Sequence, residues 1–209
     1  QFLELQRSDP RSRIMASFHF GDFLYGLNKL IALQPDHVTS RVLSQSEYSK
    51  PFIDNMKRGF GRKAPLAESQ IMLQGLKIQK LTAFLREPDS LLLMFADLPR
   101  AYGETIGATF LGRIAWFPKG IAVLALTSRV PVLPVICYWQ NNQNCIELGQ
   151  QIEPIRLKNE SKEAAVQRIT QRLVEFFEYF FRQHQEQWRY LSALPNYFSD
   201  PDGDVLSDK

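Results

Sequence analysis

Residues 90–96, Ser-Leu-Leu-Leu-Met-Phe-Ala, form a continuous apolar run of strand length that narrows the possible folds of this chain. A strand with one face in water alternates apolar and polar residues, and this run does not alternate. We therefore predict a strand that is buried on both faces, as in a mostly parallel sheet covered by helices. Asp97 follows directly, at the carboxyl end of the strand, where open α/β sheets collect ligand-handling residues. A turn aspartate that ends the strand is the alternative.

Other segments alternate between strand and helix patterns along the chain. We predict strands at residues 14–18, 38–43, 90–96, 130–138 and 145–148, an extended apolar segment at 108–117, and helices at 21–33, 51–58, 67–87, 118–128 and 160–184. The last helix carries an apolar stripe typical of a core-facing helix: Val166, Ile169, Leu173, Phe176, Phe177, Phe180 and Phe181. The alternation predicts a three-layer α/β fold, with a mixed, mostly parallel sheet flanked by helices.

The composition favours one domain with one sizeable core. The chain has 209 residues, of which 44% are hydrophobic, so we expect residues 1–198 to form a single domain and the acidic tail at 199–209 to be disordered. The net charge of +3 is too small to imply binding to nucleic acid. Cys137 and Cys145 lack the spacing of metal ligands, so we expect no metal site. No apolar run reaches the length of about 18 residues that indicates a transmembrane helix.

His19 lies where the first predicted strand runs into a helix. A strand carries a side chain to the edge of a sheet, Gly21 allows a turn, and the following helix directs its free N–H groups into the same space. Histidine exchanges a proton near neutral pH, so His19 is a candidate general base toward a hydroxyl or an amine. A structural histidine at the end of a strand is the alternative.

The segment His19-Phe20-Gly21-Asp22-Phe23-Leu24 resembles the His-Phe-Gly-Asn-Trp-Glu block of the bacterial lipid A late acyltransferases, a branch of the lysophospholipid acyltransferase-like superfamily. Further matching blocks follow at the expected distances: Phe95-Ala96-Asp97-Leu98-Pro99-Arg100, Phe110-Leu111-Gly112, Pro118-Lys119-Gly120, Val132-Leu133-Pro134-Val135 and the closing Gln187-Trp188-Arg189-Tyr190. The resemblance covers residues 13–190, and it implies that the closing block packs near the active site.

This resemblance implies the acyltransferase fold of the family and the transfer of a fatty acyl group to a hydroxyl or amine of a glycolipid or related acceptor. The donor would be a thioester of acyl carrier protein or coenzyme A, with no further cofactor. His19 would be the general base, while Asp97, Arg100 and Gly112 would contact substrate. The resemblance also implies peripheral contact with the cytoplasmic face of the inner membrane. Relatives commonly carry an N-terminal membrane-associating segment, and because this sequence starts at Gln1 and not at Met, we expect it to be processed or part of a longer protein.

The chain departs from the family at one important position. The family signature places an acid five residues after the histidine, and the residue there is Leu24. Asp22 is the nearest acid, and we consider two roles for it: catalytic support of His19, or capping of the first helix. The departure also keeps open a second hypothesis, in which the protein binds acyl chains or acyl carrier protein without turnover.

A basic loop at residues 57–63 contains Arg58 and Arg62. From Lys50 to Lys63 five cations stand against one acid, Asp54, which gives a local charge of +4. We predict that Arg58 and Arg62 bind phosphate, either on the donor, on a lipid or at an anionic membrane surface. A solvated basic loop is the alternative.

Overall fold

A six-stranded sheet with helices on both faces forms the centre of the protein. The computed structural model describes residues 9, 11–44, 54, 71–73 and 77–199. The strands in this part of the chain are β1 (Arg13–Ser17), β2 (Thr39–Ser44), β3 (Ile71–Leu73), β4 (Ser90–Phe95), β5 (Thr105–Phe110), β6 (Arg113–Pro118), β7 (Val132–Gln140) and β8 (Gln143–Leu148). The helices are α1 (Phe23–Ala32), α2 (Ile78–Arg86), α3 (Gly120–Ser128), α4 (Lys162–His184) and α5 (Leu194–Phe198). Short 3₁₀ turns lie at Arg100–Tyr102, Gln185–Gln187 and Leu191–Ala193.

The strand order in the main sheet is β3-β2-β4-β1-β7-β8. The first five of these strands are mutually parallel, and β8 pairs with β7 in the antiparallel sense. The predicted three-layer α/β fold with a mixed, mostly parallel sheet is therefore confirmed. Strand β4, the apolar run, lies in the middle of the sheet between β2 and β1, which explains why it has no polar face.

The central strand β1 sends alternate side chains into two cores on opposite faces of the sheet. Met15 joins the core beneath α1, where Phe23, Leu27, Leu30 and Ile31 pack. Ile14 and Ala16 join the larger core on the other face, which is covered by α2, α3 and α4. Burial of β1 on both faces fixes the position of its carboxyl end, from which His19 extends.

The predicted apolar stripe of the last helix faces this larger core. On α4 the ring of Phe177 stacks on Phe18, with centroids 4.8 Å apart, and on Phe110 of the β5–β6 hairpin, at 5.5 Å. The helix thus connects the main sheet to the separate two-stranded sheet. No helix in the described part of the chain is both long enough and apolar enough to cross a membrane.

Two local predictions differ from the structure. The helix predicted at 67–87 begins only at Ile78, because residues 71–73 form strand β3 and pair in parallel with β2. Edge pairing outweighs the helical spacing there. The extended segment at 108–117 is a hairpin, with Leu111 and Gly112 in its turn at φ +51° and +76°.

Several predictions lie outside the described residues. These are most of the helix at 51–58, the basic loop at 57–63 with Arg58 and Arg62, and the tail beyond Ser199. The single-domain assignment for residues 1–198 stays a prediction.

Candidate active site

Strand register brings His19 and Asp97 together. Strands β1 and β4 are parallel neighbours, and Ser17 is paired with Phe95. One further backbone hydrogen bond, from the Ala96 N–H to the Ser17 carbonyl at 2.8 Å, extends the pairing beyond β4. His19 and Asp97 each lie two residues beyond the paired positions, so both stand at the carboxyl edge of the sheet.

The carboxylate of Asp97 accepts three hydrogen bonds. Its Oδ1 lies 2.9 Å from His19 Nδ1, and its Oδ2 accepts from the His19 backbone N–H and from Trp188 Nε1, both at 2.8 Å. Asp97 is fully buried, while the His19 side chain is 11% exposed. Both carboxylate oxygens are therefore occupied, and the buried charge is stabilised by three donors.

Aromatic rings surround the imidazole. Phe95 stacks on it with a centroid distance of 3.8 Å, and Phe23 and Tyr190 contact it edge-on at 4.9 and 5.1 Å. These contacts fix the plane of the imidazole ring, and the hydrogen bond from Nδ1 to Asp97 fixes the orientation of the ring within that plane.

The segment that follows α4 closes the site. The backbone N–H of Arg189 donates to the His19 carbonyl at 2.9 Å, and Phe20 forms an antiparallel bridge with Trp188. From α5, the Tyr197 hydroxyl donates to the backbone carbonyl of Asp97 at 2.6 Å. Burial and the Asp97 charge raise the pKa of Tyr197, so this hydroxyl keeps its proton.

A tight turn presents His19. The Phe20 N–H donates to the Phe18 carbonyl at 2.8 Å, so His19 is the central residue of a three-residue turn. Gly21 follows in the left-handed region at φ +52°, and a Cβ there would lie 2.7 Å from Tyr138 Cα. Glycine is thus required both for the turn and for the close approach to β7.

Asp22 and Leu24 do not reach the imidazole in the described contacts. The Asp22 carboxylate accepts from the Tyr25 N–H at 3.1 Å and caps α1, as the capping alternative predicted. Leu24 is half-buried and packs against the core beneath α1. The acid beside His19 is therefore Asp97, which lies just beyond the neighbouring strand β4 and not on the helix.

The residues predicted to bind substrate lie in different places. Asp97 is fully buried, and both of its carboxylate oxygens already accept hydrogen bonds within the protein. Arg100 lies on a 3₁₀ turn shortly after Asp97 and donates to the Ser199 carbonyl at 3.3 Å. Gly112 lies in the hairpin turn, where the Leu111 N–H donates to Glu178 of α4. The substrate contacts of Arg100 and Gly112 stay predictions.

The arrangement is suited to proton transfer. Because Nδ1 faces a carboxylate, it carries the ring proton of the neutral imidazole, and Nε2 is left with a lone pair. Nε2 forms no hydrogen bond within the described part of the chain. No group of three or more histidine, cysteine, aspartate or glutamate side chains among these residues could hold a metal ion.

The resemblance of the closing block places Trp188 and Tyr190 near the active site, whereas nothing in the sequence indicates the roles of Tyr197 and Phe95. Phe95 could have been found from its position, because it is the last residue of the strand that precedes Asp97. Tyr197 comes from the chain after α4, and no local pattern connects it to His19.

One comparison with known protein families agrees with the fold. The model of one protein family, described as bacterial lipid A biosynthesis acyltransferase, matches residues 28–194. The match includes Asp97 and Trp188 and begins after His19. A search of curated proteins found no significant match.

Proposed function

The chain belongs to the bacterial lipid A biosynthesis acyltransferase family, and we propose that it transfers a fatty acyl group from a thioester to a lipid acceptor. The acceptor group would be a hydroxyl or an amine, and His19 would be the general base. Family membership itself supports acyl transfer of the lipid A type, from an acyl donor to a lipid. The role of His19 rests on one observation, the hydrogen bond between His19 Nδ1 and the buried Asp97 carboxylate.

In the proposed step, His19 Nε2 takes the proton of the acceptor hydroxyl while the hydroxyl oxygen attacks the thioester carbonyl carbon. A C–O bond forms and an electron pair moves to the carbonyl oxygen. When that pair returns, the C–S bond breaks, and the leaving thiolate takes the proton from the imidazolium. The products are an acyl ester and a free thiol, without a covalent acyl-enzyme.

Asp97 would act through His19. Its negative charge stabilises the imidazolium that forms during the step, and its bond to Nδ1 keeps Nε2 directed at the acceptor. The hydrogen bonds from Trp188 and from the His19 backbone hold the carboxylate in place. Asp97 is thus proposed as a positioning residue and not as a contact for substrate.

The donor and the place of action are proposed from the sequence. The donor would be a thioester of acyl carrier protein or of coenzyme A, with Arg58 and Arg62 of the basic loop binding its phosphate groups. Peripheral contact with the cytoplasmic face of the inner membrane would bring the protein to its lipid acceptor.

The binding-only hypothesis was favoured by the absence of an acid at Leu24. The Asp97 carboxylate, two residues beyond β4, lies within hydrogen-bonding distance of His19, and this supports the acyl-transfer proposal over binding alone.

The test is incubation of the protein with dodecanoyl-acyl carrier protein or dodecanoyl-coenzyme A and a lipid extract that contains lipid A precursors, followed by mass spectrometry. We expect a lipid whose mass rises by one acyl group, and no such product with His19→Ala. Absence of product with both donors would favour the binding-only hypothesis.

A further inference from the structure

We propose that the hydroxyl of Tyr190 donates a hydrogen bond to the carbonyl oxygen of the acyl thioester at the His19 site. The proposal rests on the function proposed above, and it names the group that stabilises the negative charge on that oxygen during transfer.

Tyr190 is held beside the imidazole. Its ring meets the His19 ring edge-on, with centroids 5.1 Å apart and an interplanar angle of 68°. The backbone on both sides is fixed, since the Arg189 N–H donates to the His19 carbonyl and the Ala193 N–H donates to the Tyr190 carbonyl, both at 2.9 Å. A donor so fixed does not need to reorganise when charge develops nearby.

The other side chains that contact the imidazole have no free donor. Phe23 and Phe95 contribute only carbon edges and faces. The Asp97 carboxylate accepts hydrogen bonds and has no proton to donate. The neighbouring Trp188, which contacts Tyr190, donates its only side-chain N–H to Asp97. The Tyr190 hydroxyl donates no hydrogen bond to any residue in the ranges that the structure describes.

The phenol carries its proton at neutral pH. Burial and the nearby Asp97 charge raise the pKa of Tyr190 to about 12. Tyr190 is therefore a donor and not a base, and its proton stays on the phenol oxygen throughout the step. The hydrogen bond strengthens as the carbonyl oxygen becomes negative, which favours the transition state over the bound thioester.

Three variants separate the hydroxyl from the ring. Tyr190→Phe keeps the ring contact with His19 and removes only the donor, while Tyr190→Leu removes both. Tyr179→Phe is the matched control, because Tyr179 lies on the outer face of α4 and is 63% exposed. We expect Tyr190→Phe to lower kcat about 10²- to 10³-fold with a near-constant KM for the donor, as for loss of one oxyanion donor. Tyr190→Leu should lose at least as much, and Tyr179→Phe should lose nothing.

If only the ring were important, Tyr190→Phe would keep the wild-type kcat and Tyr190→Leu alone would fail. That result would overturn the proposal while leaving acyl transfer in place.

Infrared difference spectroscopy gives a second readout, which does not depend on turnover. A dodecanoyl-coenzyme A labelled with ¹³C at the thioester carbonyl would be bound to wild-type protein and to Tyr190→Phe in the absence of acceptor. We expect a lower C=O stretching frequency in the wild type, because a hydrogen bond weakens the carbonyl double bond. Equal frequencies in the two proteins would contradict the proposal, even for a protein that binds acyl groups without transferring them.

Discussion

The carboxylate of Asp97 holds His19 at two points, through Oδ1 to the ring nitrogen Nδ1 at 2.9 Å and through Oδ2 to the backbone N–H at 2.8 Å. One residue therefore sets both the rotation of the imidazole and the path of the turn that carries it. The acid lies two residues beyond the end of the neighbouring strand β4, whereas position 24, where the family signature has its acid, is a leucine.

Replacing Asp97 with asparagine should damage both activity and stability. An amide has one acceptor oxygen and one NH₂ group, and the site offers three donors, so one of the three positions must face the NH₂ group. If that position is Nδ1, the imidazole takes the other tautomer and Nε2 carries the proton, which removes the base. We expect Asp97→Asn to lose about 1–3 kcal/mol of unfolding free energy and about 10²- to 10⁴-fold in transfer rate. Urea denaturation and a steady-state transfer assay measure the two effects.

Asp22→Asn is the matched control for that experiment. Asparagine caps a helix about as well as aspartate, so stability and rate should change little. A rate loss in Asp22→Asn as large as that in Asp97→Asn would return the catalytic role to Asp22.

Leu24→Glu introduces the acid that the family signature has at this position. Leu24 packs against the core beneath α1, and His19 Nδ1 already has a carboxylate partner. We expect a loss of about 1–3 kcal/mol from partial burial of a polar group, and no gain in transfer rate. Leu24→Gln separates polarity from charge. A faster Leu24→Glu enzyme with an undiminished Tm would show that position 24 still opens toward His19.

Gly21→Ala should destabilise the turn that presents His19. The left-handed backbone costs an L-residue about 1–2 kcal/mol, and the added Cβ would meet two backbone atoms, Tyr138 Cα at 2.7 Å and the Cys137 carbonyl oxygen at 2.8 Å. We therefore expect a loss of more than about 2 kcal/mol, together with reduced transfer, because the turn must move. Gly120→Ala, in a helix and with no atom within 4 Å of the added Cβ, should be neutral or stabilising. Equal stability of the two variants would contradict this view of the turn.

Glu160 gives a pH-dependent contribution to stability. Its carboxylate accepts from Arg168 Nε and Nη2 at 2.7 and 2.9 Å and from the Leu157 N–H at 2.9 Å. The Arg168 hydrogen bonds, followed by the Leu157 bond, lower the pKa of Glu160 to about 2. Since the folded pKa lies below the unfolded one, the stabilisation is complete above the unfolded pKa of about 4.3 and is lost as the pH falls toward 2.

The corresponding experiment compares Tm values across this range. We expect Glu160→Gln to have a lower Tm than the wild type at pH 7, and the difference to disappear near pH 2. Glu163→Gln, in the first turn of α4 and without an ion pair to a described residue, is the control. A difference that stays constant between pH 7 and pH 2 would assign the effect to packing.

Local patterns were sufficient to predict most of the fold. Strand β4 is buried on both faces and therefore has an unbroken apolar sequence, which predicts it directly. Helix α4 is buried on one face and therefore has an apolar stripe at helical spacing. Strand β3 was missed, since three residues at the edge of a sheet are determined by their neighbour β2 and not by their own spacing. The hairpin turn at Leu111 and Gly112 was also missed, although its glycine has the positive φ that such turns favour.

The site was predicted in its parts but not in its connections. The sequence places His19 and Asp97 each at the end of a strand but does not bring them together, because the strand order that makes β1 and β4 neighbours has no local signal. Tyr190 and Tyr197 reach the site from the end of the chain through tertiary packing alone.

The most direct test of the central claim is the steady-state rate of acyl transfer in His19 variants that remain folded. His19→Ala removes the base, and His19→Phe removes it while keeping an aromatic ring against Phe95. If His19 is the general base, both variants should lose about 10²- to 10⁴-fold in rate, with circular dichroism and donor binding unchanged. A wild-type rate of transfer in either folded variant would contradict the account.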